Sequence, residues 1–212
     1  MRTPRHLLHR LLQGLPTLLA VLLASAAATA QAWGAWDAWD LAGPHAVLLH
    51  GRDGPPLRLG TVTFTPQADG RSRFVLVMDS ECFKDFFLSM KEFKCVEGGA
   101  EVFCHVPYPY PQPGTITANA ASAASANAPD FAWLEHALLF MFKTPADFGA
   151  KLWNGVYFHL RLTDTGLVGS PQAVDLNRIS APPEQPGIPP FQPALRDDIT
   201  PGARWFGRLT IE

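Results

Sequence analysis

The sequence predicts an α+β fold with an antiparallel sheet of about seven to eight strands and two to three helices. Three observations lead to this prediction. Short segments in which apolar and polar residues alternate recur along the chain, as is typical of half-buried strands. Turn-forming dipeptides, among them Asp69-Gly70 and Gly98-Gly99, separate several of these segments. The strands are grouped and do not alternate with helices, so a parallel βαβ arrangement is not expected.

The first 32 residues have the three parts of a secretory signal peptide. Three arginines make the start basic, an apolar run covers residues 15–23, and small residues follow. The apolar run is shorter than the roughly 20 residues that span a bilayer. We therefore expect cleavage after Ala30 or Ala32. Since no arginine pair precedes the run, we expect the general (Sec-type) secretion route, which places a soluble protein in the periplasm or outside the cell.

Residues 33–212 are expected to form a single domain. The chain has 17 basic and 19 acidic residues, and removal of the three signal arginines leaves 14 against 19, a net charge of −5. An acidic surface disfavours nucleic acid as a partner, because phosphate binding needs a basic patch. No segment after the signal is long and apolar enough to span a bilayer. Residues 114–129 predict a mobile low-complexity loop, and 181–201 predict a proline-rich surface segment.

Eight strands are predicted from the alternation and from the turn signals. They cover residues 46–50, 57–65, 73–78, 93–97, 102–106, 156–162, 167–176 and 205–211. The strand at 73–78 contains the run Phe-Val-Leu-Val-Met, which is apolar on both faces. We expect this strand to be central in the sheet and covered on both sides.

Helices are predicted in three places. At 80–90, Ser80 can cap a helix whose phenylalanines fall at spacings of three and four. At 130–143, Asp130 precedes a broad apolar stripe. A shorter helix is predicted from Thr144, where a cap residue, a proline and an acid follow one another.

The three cysteines lie within 23 positions, at 82, 95 and 104. In an oxidising compartment two of them are expected to form a disulfide. If Gly99-Ala100 is a two-residue turn, Cys95 and Cys104 face each other as a non-hydrogen-bonded pair, a position that a disulfide accepts. The predicted bridge is therefore Cys95–Cys104, with pairs that include Cys82 and a fully reduced state as alternatives.

Cys82 and His105 are the candidate catalytic pair, with Cys82 as a nucleophile and His105 as its base. The competing interpretation is an inert thiol buried on a phenylalanine-rich element. A zinc site that combines the three cysteines with His105 is disfavoured, because neighbouring strand residues point to opposite faces. No metal and no cofactor are expected.

Two further carboxylate patterns do not predict a site. Glu135-His136 resembles half of a metal-binding helix motif, but position 140 is Phe, so both residues are interpreted as solvent-facing. Asp79 and Glu81 do not converge on one face of a helix.

Aromatic residues supply the candidate contact surface. Tyr108 and Tyr110 alternate with prolines, and Trp36 and Trp39 belong to a tryptophan-rich lead-in that could instead pack into the core. Without a catalytic motif, the favoured hypothesis is a non-enzymatic binding or accessory protein whose partner is another periplasmic protein or a small ligand. The alternative is a small thiol-dependent enzyme or hydrolase that uses Cys82 and His105.

Five short strings carry a resemblance to a known group of proteins. They are FFLSMKEFKC, CHVPYPY, LEHALLF, WNG and VDLNRISAPP. In these strings the chain resembles a group of uncharacterised secreted proteins of Gram-negative bacteria. The resemblance implies the same compartment and assigns no functional residue.

Overall fold

The computed structural model of the protein describes residues 41–88, 91–117, 130–144 and 154–212. Twelve strands occur within these residues. They are β1 (Gly43–Gly51), β2 (Leu57–Pro66), β3 (Arg71–Met78), β4 (Lys84–Leu88), β5 (Lys91–Gly98), β6 (Glu101–His105), β7 (Thr115–Thr117), β8 (Phe140–Lys143), β9 (Asn154–Thr163), β10 (Gly166–Asp175), β11 (Asp197–Asp198) and β12 (Phe206–Ile211). The α-helix α1 spans Ala132–Ala137, and three short 3-10 turns cover Ser80–Cys82, Leu176–Ile179 and Pro193–Leu195.

All twelve strands belong to one antiparallel sheet. Its order is β4-β5-β6-β8-β9-β10-β12-β1-β2-β3-β7, and β11 pairs separately with β10. Strand β12 lies in the middle, where Ile211 faces Leu167 of β10 on one side and Val47 of β1 on the other. It is therefore the strand that links the group β4–β6 and β8–β10 to the group β1–β3 and β7.

The core is built from alternate residues of these strands. In β9, Val156, Phe158 and Leu160 are all buried. Phe103 of β6 contacts the rings of Phe140, Phe158 and Phe206, with centroid distances of 5.0, 6.3 and 5.4 Å. These rings come from strands β6, β8, β9 and β12, so the aromatic packing connects the centre of the sheet.

The predicted α+β class is wrong, because the structure is mostly antiparallel sheet and has one short α-helix in the described residues. The helix predicted at 80–90 is a 3-10 turn followed by strand β4. Phe86 packs against the core, whereas its neighbour Phe87 is 70% exposed. This alternation is that of a strand, and Phe86 faces Phe93 of β5. The phenylalanine spacing in the sequence also fitted a helix, and strand pairing decided between the two.

The helix predicted at 130–143 is also wrong for more than half of its length. Helix α1 ends at Ala137, and residues 140–143 form strand β8 between β6 and β9. A strand covered on both faces is apolar throughout, as a buried helix is, so its sequence cannot distinguish the two. The short helix predicted from Thr144 lies outside the described residues.

Strand β3 is not covered on both sides as predicted. Val75 and Val77 are 53% and 63% exposed, whereas Phe74 is buried. The strand therefore has one core face and one outer face. Beyond Arg73 it has β2 as its paired strand among the described residues, because β7 reaches only Arg71–Arg73.

The two segments expected to be surface loops contain some regular structure. Thr115–Thr117 form β7, and residues 118–129 of the low-complexity segment lie outside the described residues. In the proline-rich segment, Phe191 is buried and Asp197–Asp198 pair with β10. The expected signal peptide also lies outside the described residues. No helix within the described part of the chain is long and apolar enough to cross a membrane.

Candidate functional site

Cys95 and Cys104 form the predicted disulfide. They are direct partners across the hairpin of β5 and β6, which closes with Gly98 opposite Glu101 and leaves Gly99-Ala100 as its two-residue turn. Their Cα atoms are 3.9 Å apart. Both residues are fully buried, so this bridge is a structural element of the core.

Cys82 and His105 are each bonded to a backbone carbonyl. The Cys82 thiol donates to the Asp79 carbonyl at 3.4 Å, and His105 Nε2 lies 2.9 Å from the Ala137 carbonyl. Burial and the nearby Asp79 raise the pKa of Cys82, and burial lowers the pKa of His105. Both directions oppose formation of a thiolate–imidazolium pair.

The zinc interpretation has no support in the described residues. Cys95 and Cys104 are oxidised and cannot act as thiolate ligands. No group of three or more His, Cys, Asp or Glu in the described chain could hold a metal ion.

Tyr108 is buried, and Tyr110 is partly buried beside it. The two rings are 5.5 Å apart, and Tyr108 also contacts the rings of Trp133 and His136. The Tyr108 hydroxyl is buried and has no hydrogen-bond partner among the described residues. The first tyrosine is thus a core residue, while Trp36 and Trp39 lie outside the described residues.

A cluster of polar side chains lies between α1, β9 and the proline-rich segment. We call it the Glu135 cluster, and its members are Glu135, His136, Tyr157, His159 and Arg196. Tyr157 and His159 occupy alternate positions of β9 and therefore share the face opposite to the core residue Phe158. Helix α1 covers that face and brings Glu135 and His136 to it.

Glu135 is only 3% exposed and accepts three hydrogen bonds. The Leu160 backbone N–H donates to Oε1 at 2.6 Å, and His159 Nδ1 donates to the same oxygen at 3.1 Å. The Tyr157 hydroxyl donates to Oε2. Burial, followed by the neighbouring carboxylate, raises the pKa of Tyr157, which keeps this hydroxyl protonated. A buried carboxylate needs such donors to offset its desolvation.

His136 is fully buried and uses both ring nitrogens. Nδ1 donates to the Ala132 carbonyl at 2.6 Å, and Nε2 accepts from the Phe191 N–H at 3.1 Å. This pattern fits the neutral ring, and burial lowers the pKa of His136 to about 4. Its ring also stacks on Phe191 at a centroid distance of 5.3 Å. His136 therefore attaches the proline-rich segment to α1.

The outer edge of the cluster is formed by His159 and Arg196. The His159 side chain is 46% exposed. The Arg196 guanidinium carbon lies 4.6 Å from the centre of the Tyr157 ring, and its Nη1 lies 3.5 Å from His159 Nδ1. Since Glu135 holds Nδ1, the exposed edge of the imidazole carries Nε2.

Glu135 and His136 are not solvent-facing, contrary to the interpretation from sequence. Glu135 is buried against β9, whose residues donate to its carboxylate, and His136 is buried under the proline-rich segment at Phe191. A usable signal was present: Tyr157 and His159 alternate with the core residues of β9, so two residues suited to hydrogen bonding share one strand face. Arg196 carried no such signal, because its position depends on the path of the proline-rich segment.

The cluster can orient an imidazole and a guanidinium at the surface. A carboxylate that fixes one imidazole nitrogen leaves the other free to accept or donate a proton. Ser170 faces His159 from β10, but its hydroxyl contacts Arg161 at 3.4 Å, and no nucleophile in the described chain is hydrogen-bonded to His159. The described residues thus present groups for binding without an assembled nucleophile.

No protein-family model matches this chain, and no curated protein or solved structure compared with it is significantly similar.

Proposed function

We propose that the protein is an extracytoplasmic, non-enzymatic binding or accessory protein. Export rests on the signal peptide expected at residues 1–32, and the partner is another periplasmic protein or a small ligand. One observation carries the proposal: the buried Glu135 carboxylate fixes His159 at the surface beside Arg196. Groups held in place before a ligand arrives lose little conformational entropy on binding, which favours recognition.

The thiol-enzyme alternative lacks a supporting contact. Cys82 and His105 are each hydrogen-bonded to main chain, and their pKa values are displaced away from the reactive ion pair. Thiol labelling of the native protein at neutral pH distinguishes the two functions. We expect Cys82 to react much more slowly in the native than in the denatured protein. Fast native labelling, together with loss of a hydrolytic activity in Cys82→Ala, would overturn the proposal.

Partner binding is tested by site-specific photo-crosslinking in the periplasm of a Gram-negative host. A photoreactive residue at Ser170, beside the cluster, is expected to give a discrete adduct that is absent when it replaces the distant Val77. His159→Ala and Arg196→Ala are expected to abolish the adduct, whereas Arg178→Ala, at another exposed arginine, should retain it. An adduct that survives both cluster variants would show that binding occurs elsewhere.

Export is tested by sequencing the N-terminus of the same periplasmic protein. We expect the chain to begin at Gln31 or Trp33. An uncleaved chain that remains in the cytoplasm would contradict the compartment, whatever the crosslinking shows.

A further inference from the structure

Arg196 has a buried donor without an acceptor. Its Nε is inaccessible to solvent and has no hydrogen-bond partner among the described residues. Buried N–H groups in folded proteins are nearly always bonded, because an unmade bond costs roughly 1–3 kcal/mol. Because Nε itself is enclosed by the protein, a ligand would meet the guanidinium at its outer Nη atoms, of which Nη1 makes an exposed contact with His159.

The charge of Arg196 is also unpaired. No carboxylate oxygen in the described chain lies within 4.0 Å of its guanidinium nitrogens. Glu135, the nearest acid of the cluster, already accepts three hydrogen bonds from β9. The neighbouring Asp198 accepts from Gln172 at 2.8 Å. The guanidinium is held over Tyr157 by ring stacking and not by an ion pair.

His159 adds a second polar group on the same edge. Its Nδ1 is fixed by Glu135 and adjoins Arg196 Nη1 at 3.5 Å. Its Nε2 has no partner in the described chain, and the side chain is about half exposed. When this nitrogen is protonated, the imidazole and the guanidinium present N–H donors side by side.

We propose that Arg196 and His159 form a binding site for an oxyanion, the carboxylate or phosphate group of a ligand. This inference rests on the proposed binding function and names the chemistry of its ligand. A planar guanidinium donates two parallel hydrogen bonds to such a group, which a single ammonium cannot do.

The test is an NMR titration of the full exported protein with inorganic phosphate and, separately, with acetate at constant ionic strength. The Arg196 Nε–H signal and the His159 ring signals report the site. We expect a saturable shift with a Kd of about 1 mM for at least one anion, since a small free anion makes few contacts. The two anions distinguish a phosphate-bearing from a carboxylate-bearing ligand.

Matched variants separate the site from general charge effects. Arg196→Lys keeps the charge but removes the planar donor pair, so we expect at least about tenfold weaker binding. His159→Gln should weaken binding as well, while Arg178→Lys should leave it unchanged. A linear, unsaturated shift that matches that of Arg178, or equal binding by Arg196→Lys, would overturn the site. A crosslinked partner found without anion binding would leave the proposed function standing and remove this inference alone.

Discussion

At the scale of single residues, Glu135 connects helix α1 to strand β9. Its carboxylate accepts hydrogen bonds from the Leu160 backbone N–H, the His159 imidazole and the Tyr157 hydroxyl, which all belong to β9. Hydrogen bonds to an ionised group are worth more than neutral ones, about 1.5–3 kcal/mol each. The orientation of His159, and with it the proposed oxyanion site, depends on this residue.

We expect Glu135→Gln to lower the free energy of unfolding by about 2–3 kcal/mol, because the amide loses the charge and places an NH₂ group against donors. Urea unfolding measures the change. Glu92→Gln, at an exposed position of β5, is the control and should change the free energy by less than about 0.5 kcal/mol. Equal stabilities for the two variants would show that the carboxylate does not hold α1 to β9.

His136 should make stability depend on pH. Its folded-state pKa is lowered from 6.5 to about 4, so between these values the unfolded chain binds more protons than the folded one. Stability contributed by the neutral ring is therefore complete above pH 6.5 and is lost as the pH falls toward 4. At about 1.4 kcal/mol for each pKa unit, the loss approaches roughly 3 kcal/mol.

The measurement compares urea unfolding of the wild type and of His136→Gln from pH 7.5 to pH 4. Burial also lowers the pKa values of His50 and His105, so the difference between the two proteins isolates His136. We expect the variant to have the weaker pH dependence. Parallel curves would contradict a neutral buried His136.

At the scale of elements, local pairing was predictable and helix content was not. The hairpin around Gly99-Ala100 follows from turn chemistry and from alternation over a few residues, so the sequence located both the turn and the disulfide. Strands β4 and β8 were predicted as helices because their apolar residues fit the period of a helix as well as that of a strand. Pairing with the neighbouring strands decides between the two. Arg196 reaches the cluster through a segment without periodicity, so no local pattern pointed to it.

Opening the disulfide should weaken the hairpin without unfolding the protein. The bridge closes a loop of nine positions, which corresponds to roughly 2–3 kcal/mol in the chain-entropy account. We expect the free energy of unfolding of the double variant Cys95→Ala/Cys104→Ala to fall by roughly 2–3 kcal/mol in denaturant unfolding. The variant should keep the circular dichroism spectrum of the wild type. Cys82→Ala serves as the control, and its free energy of unfolding should fall by less. Wild-type stability that does not respond to a strong reductant would contradict the contribution of the bridge.

A polar residue on the outer face of β3 should have little effect on stability, whereas the same substitution at a buried position of the neighbouring strand β2 should be destabilising. Val77 is 63% exposed, whereas Val62 of β2 is fully buried. Val77→Thr should change the free energy of unfolding by less than about 0.5 kcal/mol, and Val62→Thr should cost about 1–3 kcal/mol because it buries a hydroxyl. Thermal and urea unfolding of the pair tests this. A large loss in Val77→Thr would show that this face is covered.

At the scale of the whole molecule, β12 joins the two strand groups of the sheet. Thr210 faces Leu48 of β1 and Val168 of β10, and the Ala46 and Glu212 main chains exchange hydrogen bonds at 2.8 and 3.1 Å. Strand β12 is thus central in the sheet although it follows all the other described strands in the chain. Its loss would remove the strand pairing between the two groups and leave the connection through Asp130, which pairs with Thr117 of β7 and accepts from the first backbone N–H of α1.

We expect Thr210→Pro to abolish cooperative unfolding or to cost more than about 3 kcal/mol, because proline removes a ladder N–H in a central strand. Thr115→Pro, in the outer strand β7, is the matched control and should cost much less. Near-ultraviolet circular dichroism and hydrogen exchange monitor the two groups. Native-like protection of both β1 and β9 in Thr210→Pro would contradict the linking role of β12.

The position of β12 also sets an order of events during synthesis. The ribosome makes β12 after every other described strand, so β1 and β10 must wait for the segment that pairs with both of them. Contacts between residues so distant in the chain form slowly, and unpaired strand edges aggregate in the meantime. Under the proposed export, the late synthesis of β12 keeps the sheet from closing until translocation is nearly complete. The facing edges of β1 and β10 then stay unpaired until β12 arrives.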